Sequence, residues 1–246
     1  MFLMPEDITA ILLTLKLAAV STAILLLLGL PLAWWLARTR NRIKPIIETL
    51  IALPLILPPT VIGFYLLLAF SPDNWLASYW QQWFGTSLAF SFSGLVIGSV
   101  IYSLPFVVQP MQSSYERIPK LTLLTAASLG ANKVDQFFSV LLPMTKRSTI
   151  AAASLAFAHT MGEFGVVLMI GGNIPGETQV ISMALYDHVE SLAYDRAHIL
   201  ALTLLAMSFF SLLIIYGIDR RGSRRYKNSH ESRHENNHLR IRNAGH

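Results

Sequence analysis

Residues 121–143 read LTLLTAASLGANKVDQFFSVLLP. Leu121, Leu124, Ala127 and Leu129 fall at helical spacing and predict a short amphipathic helix. It stops at Gly130, whose missing side chain permits a left-handed turn. Lys133, Val134, Phe137, Phe138 and Leu141 then offer a second short helix, which Pro143 ends. Neither piece is long enough to cross about 30 Å of hydrocarbon. A small apolar face of this kind suits the membrane surface or a groove on a partner protein, and the residues alone leave both open.

The chain around this pair is strongly apolar. Of its 246 residues, 53% are hydrophobic and only 13% charged, where a soluble domain carries about 25% charged residues. Five segments, 9–36, 46–70, 91–111, 150–171 and 197–218, are each long enough to span a bilayer. The fold class is therefore all-α integral membrane, with about five transmembrane helices. Lysine and arginine set the orientation. Residues 37–45 carry four, residues 112–149 carry five and the tail from Arg220 carries eight, while residues 1–10 and 71–90 carry none. The N-terminus is expected outside and the C-terminus in the cytoplasm. Trp75, Tyr79, Trp80, Trp83 and Phe84 would lie at the outer headgroup layer, and Trp34 and Trp35 at the inner one. The first residues lack the basic start and cleavage site of a signal peptide, so the first apolar run is expected to be retained.

Residues 219–246 form a basic tail, expected to be disordered and to favour anionic lipid. Its His230, His234 and His238 recur every four residues and could share a helix face for a metal, but an unstructured polar tail explains them as well, and no metal site is expected. Removing the tail is expected to be mild. The chain has no cysteine, which excludes disulfides and thiolate metal sites. It also has no G-x-x-x-x-G-K-[ST] phosphate loop, no H-E-x-x-H pair and no G-x-S-x-G elbow, so nothing marks it as an ATPase or an intramembrane hydrolase. It is expected not to be an enzyme.

Two segments carry unusual chemistry. In IALPLILPPTVIGF (51–64), Pro54, Pro58 and Pro59 remove backbone donors inside an apolar run. The freed carbonyls must then face protein or a water-filled cavity. A kinked helix and a broken helix beside a permeation path are both compatible, with Pro58, Pro59, Thr60 and Gly63 as candidate pathway or helix-break residues. Pro105 and Pro110 suggest that the third helix is irregular too. In HTMGEFGVVLMIGGNIPGET (159–178), Glu163 lies deep in a span. His159 shares its helix face, but two groups make an incomplete metal or acid–base site. Lys16 lies at similar depth in the first span and is the candidate ion-pair partner. The alternative is that Glu163 accepts from backbone amides at a helix break between Gly162 and Gly165. Either way these glycines permit close helix approach. Asn173, Pro175, Gly176, Glu177 and Thr178 read as an outer turn.

The stretch 121–143 resembles the cytoplasmic coupling loop of the permease subunits of ATP-binding-cassette (ABC) importers. Gly130, Val140, Leu142 and Pro143 fall at the matching spacing, while Leu124, Thr125 and Ala126 stand where Glu-Ala-Ala is usual. The resemblance runs from about residue 8 to 217, and it sharpens to the oxyanion permeases through LPLILPPTVIGF and the GEFG of 162–165. NIPGET (173–178) is most similar to the molybdate group. The resemblance implies a type I importer permease fold over 8–218, paired as a homodimer. It implies a coupling loop in which Ala126, Ala127, Gly130, Val140, Leu142 and Pro143 dock on the ATPase. Two cytoplasmic ATP-binding subunits would use ATP and magnesium, this chain holding no cofactor, and a periplasmic or extracellular molybdate-binding protein would deliver the anion. Tungstate is implied as a second cargo, and sulfate or thiosulfate as the alternative substrate. An ATPase-independent anion transporter is a further alternative, against which the five helices and long inner loop argue. Membrane lipid is the remaining partner, and nucleic acid is not expected.

Overall fold

A computed structural model describes residues 4–213. The tail, its three histidines and the end of the fifth predicted span lie outside the described residues. All regular structure among the described residues is helical. Three helices among the described residues are long and apolar enough to cross a membrane as continuous rods: α1 (Pro5–Arg38), α5 (Phe92–Glu116) and α12 (Tyr194–Leu213). Two bent helix pairs are each long and apolar enough to make a further, broken crossing. The first joins α2 (Lys44–Ala52), extended by one tight turn at Leu53–Leu55, to α3 (Pro59–Phe70), through a 111° bend. Between α3 and α5 lies the short α4 (Trp75–Phe84). The helices α6 (Lys120–Ser128), α7 (Lys133–Gln136) and α8 (Leu142–Met144) follow α5. The second broken crossing joins α9 (Lys146–Met161) to α10 (Gly165–Gly171) through a 58° bend, and α11 (Ile181–Glu190) precedes α12.

The five crossings match the five apolar segments, but the second is not a kinked helix. Pro58 is extended, with ψ at 136°, because a residue before proline is pushed out of the helical region. Each limb is about 18 Å long, too short to cross alone. Together they still run from end to end: Lys44 reaches Glu116 at the close of α5, while Phe70 packs with Leu88 and Leu95 at the opposite end. The expected irregularity of the third helix is not found. Pro105 and Pro110 lie inside an unbroken α5, which is packed against α1, α9 and α10. Such flanking protein tolerates the freed carbonyls in a membrane helix.

Close packing holds the bundle together, since lipid tails are as apolar as leucine and burial alone supplies little drive. A Cβ on Gly63 would sit 2.7 Å from the Met169 Cβ and 3.2 Å from the Val166 Cα, and one on Gly165 would sit 2.6 Å from the Pro59 Cβ. The α3–α10 crossing is therefore backbone against backbone, and the two breaks are interlocked.

The loop helices follow the sequence with one correction. Gly130, at φ +92°, ends α6, and the amides of Gly130 and Ala131 close back onto the carbonyls of Ala127 and Ala126, a Schellman stop. Asn132 starts α7 through a capping box with Asp135 (2.9 and 3.2 Å). Pro143 does not end this helix. A wide π turn at Phe137–Leu141 absorbs its missing donor, and the helix runs on to Met144.

Gly63→Ala forces a methyl group into backbone and is expected to destabilise the bundle by about 1–3 kcal/mol, read as a lower melting temperature in detergent. Gly162→Ala, where nothing lies nearer than 3.8 Å, is expected to leave it unchanged.

Candidate functional site

The interlocked breaks border an open cavity of about 580 Å³, lined by Pro59, Thr60, Tyr102, His159, Gly162, Glu163 and Gly165 among others. At about 30 Å³ per water it has room for a small hydrated solute. The sequence-predicted break residues Pro59, Thr60, Gly162 and Gly165 thus converge on one space. Pro58 is exposed beside them, while Gly63 is buried one turn along α3 and serves packing. The α5 wall was not singled out from sequence, because serine and tyrosine in an apolar helix give no pattern. Ser103 Oγ lies 2.9 Å from His159 Nδ1 and 3.2 Å from Thr160 Oγ1. The His159 ring packs, tilted, 4.0 Å from Phe106 and 5.1 Å from Tyr102, centroid to centroid.

Glu163 takes neither role expected for it. Its side chain is 5% exposed, and neither carboxyl oxygen has a hydrogen-bond partner. Lys16 does not reach it: the Lys16 ammonium is on an exposed face, 4.6 Å from the centre of the Phe92 ring. The ion pair within one chain is corrected, because α1 turns Lys16 toward the start of α5 rather than into the break. The backbone-amide alternative is corrected too, since no amide of the break donates to the carboxyl. The carboxyl instead lies beside the fully buried Ser99 hydroxyl, short of hydrogen-bond geometry. The Glu163 main chain is fixed, however, by the Ser182 hydroxyl donating to its carbonyl at 2.6 Å.

The NIPGET loop is built around two anchors. Thr178, with no exposure, donates to the Gly171 carbonyl at 2.6 Å and accepts from the Ile174 amide at 3.0 Å, closing the end of α10. Asp187 on α11 receives Asn173 Nδ2 at 2.8 Å on both oxygens and Gln179 Nε2 at 2.8 Å. Asn173 sits at φ +56° and Gly176 at φ +81°, conformations that asparagine and glycine tolerate. Pro175, Gly176 and Glu177 are left exposed at the tip. Thr14 accepts from the Ile181 amide at 2.8 Å, which ties α1 to the first turn of α11.

At the opposite end the loop helices have two faces. Leu121, Leu124, Leu129, Val134 and Phe138 are all more than half exposed. Ala127, Gly130 and Pro143 are exposed with them, and Ala126, Val140 and Leu142 are half-buried. Phe137 and Leu141 face inward and join a core with Leu36, Tyr115 and Ile118. Arg38 at the end of α1 donates to the carbonyls of Tyr115 and Ile118, both at 3.1 Å, and so satisfies the C-terminal turn of α5. Asp187→Ala removes the acceptor for Asn173 and Gln179 and is expected to speed protease cutting within 173–177 severalfold, with the bundle intact by size-exclusion chromatography.

The chain matches the family model of the binding-protein-dependent transport system inner membrane component over residues 10–226. It is 49% identical to the molybdenum transport system permease protein ModB of Azotobacter vinelandii, over 90% of this chain and 96% of that protein. With the ModB of Haemophilus influenzae it shares 37% identity over 87% of this chain and 94% of that protein. Its fold is similar to that of a bacterial ABC transporter that imports the acidic polysaccharide alginate. The TM-score there is 0.73 at 17% identity, covering 89% of this chain and 81% of that one. Five apolar crossings, two interlocked helix breaks and near full-length similarity agree: the chain belongs to the binding-protein-dependent transport system inner membrane component family, in its group of ModB-like permeases.

Proposed function

We propose that this chain is the membrane-spanning subunit of an ABC importer that carries molybdate, with tungstate as a second cargo, across the bacterial cytoplasmic membrane. The observation that carries the reading is the near full-length similarity to a molybdenum permease. The chemistry of the cavity supports it, since threonine, tyrosine and histidine offer neutral donors to an oxyanion. Two copies would form the path. The N-terminus and the NIPGET loop would face the binding protein, and α6–α8 would face two ATP-binding subunits in the cytoplasm. ATP and magnesium would act in those subunits, with this chain transmitting the motion.

The exposed apolar face of α6–α8 supports the cytoplasmic contact. It offers leucine and phenylalanine to a groove, while Phe137 and Leu141 hold it to the bundle. A charge at Leu124 is expected to reduce co-purification of the ATP-binding subunit at least tenfold, with the permease itself still folded.

Uptake by the assembled complex tests the substrate. Molybdate uptake is expected to depend on ATP and to be inhibited by tungstate, while equimolar sulfate leaves it unchanged. Preference for sulfate would overturn the substrate and leave the fold standing.

A further inference from the structure

We propose that the cavity at the two helix breaks is a transit site for the tetrahedral oxyanion, with the Nε2–H of His159 as its central donor. The proposal rests on the functional reading above and adds the place and the atoms.

Hydrogen bonding fixes the ring. Ser103 Oγ lies within bonding distance of both His159 Nδ1 and Thr160 Oγ1, so the three groups form a chain that runs in one of two directions. If His159 Nδ1 donates, Ser103 passes its proton to Thr160. The Thr160 hydroxyl, 2% exposed, then has no acceptor among the described residues. If Thr160 donates to Ser103 and Ser103 donates to Nδ1, every hydroxyl proton has an acceptor. Burying a polar group without a partner costs about 1–3 kcal/mol, so the second direction holds. Nδ1 is then the acceptor and Nε2 carries the hydrogen. Among the described residues Nε2 makes no hydrogen bond and is not one of the fully covered unpartnered atoms, and His159 lines the cavity. Its N–H is therefore an unused donor on a residue that lines the cavity.

The surroundings suit an anion that must leave again. Thr60, exposed in the first turn of α3, and Tyr102 add hydroxyls to the wall. The titratable groups lining the space with His159 are Tyr102 from α5 and Glu163 from the break, and among the described residues no lysine or arginine lines it. The Glu163 carboxyl oxygens are covered, so contact is assigned to His159, Thr60 and Tyr102 and not to Glu163. Neutral donors without a fixed cation give a weak site, which is what conduction requires: favourable enough to enter and weak enough to release. The Phe106 and Tyr102 rings hold the imidazole plane, and the Ser103–Thr160 pair holds its tautomer.

Two substitutions separate the donor from the packing. His159→Gln keeps an N–H donor and loses the ring stack, whereas His159→Phe keeps the stack and loses the donor. In the complete reconstituted complex, the quantity read is oxyanion moved per ATP hydrolysed, for whichever of molybdate, tungstate and sulfate the wild type carries. His159→Phe is expected to lose about tenfold and His159→Gln to stay within about threefold of wild type. Ser103→Ala frees the tautomer without touching the cavity and is expected to fall between them. Any other order overturns the site, including equal loss in both histidine variants or wild-type transport in His159→Phe. Should His159→Phe fail to assemble, Ser103→Ala decides alone: transport per ATP at the wild-type level overturns the proposal. A wild-type complex that moves sulfate but not molybdate overturns only the substrate reading, because the order of the variants is read with either anion.

Discussion

A helix that breaks inside a membrane must hand its unpaired backbone groups to protein or to water, because lipid accepts none of them. Two such breaks in one small bundle would each be costly if they lay apart. Here they lie against each other, Gly165 on Pro59 and Gly63 on Val166 and Met169. The absent side chains let the limbs meet at backbone distance, and the space left where the limbs diverge is the cavity. Packing and cavity are thus one feature: the contact that holds α3 to α10 also shapes the cavity wall. Ser182 fixes the Glu163 carbonyl from α11, so the second break is also held from the NIPGET end.

The opposite end is joined to this centre through rigid elements. Phe137 and Leu141 of the loop helices sit in one core with Leu36 of α1 and Tyr115 of α5. Arg38 binds the last turn of α5, and α5 then runs unbroken past Ser103 and Tyr102 to the far side. A force applied to the exposed face of α6 reaches the cavity wall through a single continuous helix. That geometry suits a subunit whose work is mechanical.

Much of the fold was legible because it rests on patterns of composition and spacing. Five apolar segments located five crossings, and Gly130 and the spacing of Leu121, Leu124 and Leu129 located the loop helix. What the sequence did not disclose depends on direction in three dimensions. Depth along a helix placed Lys16 and Glu163 at one level, but rotation about the helix axis sends Lys16 to Phe92. Three prolines left a kinked and a broken second segment both open, and its bend is 111°; two prolines in α5 suggested an irregularity that the unbroken helix does not show. Pro143 was read as a stop, though a π turn accommodates it. Tyr102 on the cavity wall and the buried Ser99 and Ser103 had no signature, since small hydroxyls in a membrane helix often bond their own backbone.

The central claim is that the space between the two breaks lies on the route of the anion. The chain has no cysteine, so a single Thr60→Cys substitution reports on that space alone. In the assembled complex this thiol is predicted to react with a membrane-impermeant maleimide in one nucleotide state and to be shielded in the other, and its modification is predicted to stop oxyanion transport. A thiol inert in every nucleotide state, while a cysteine at the exposed Asp73 between α3 and α4 reacts normally, would contradict the account.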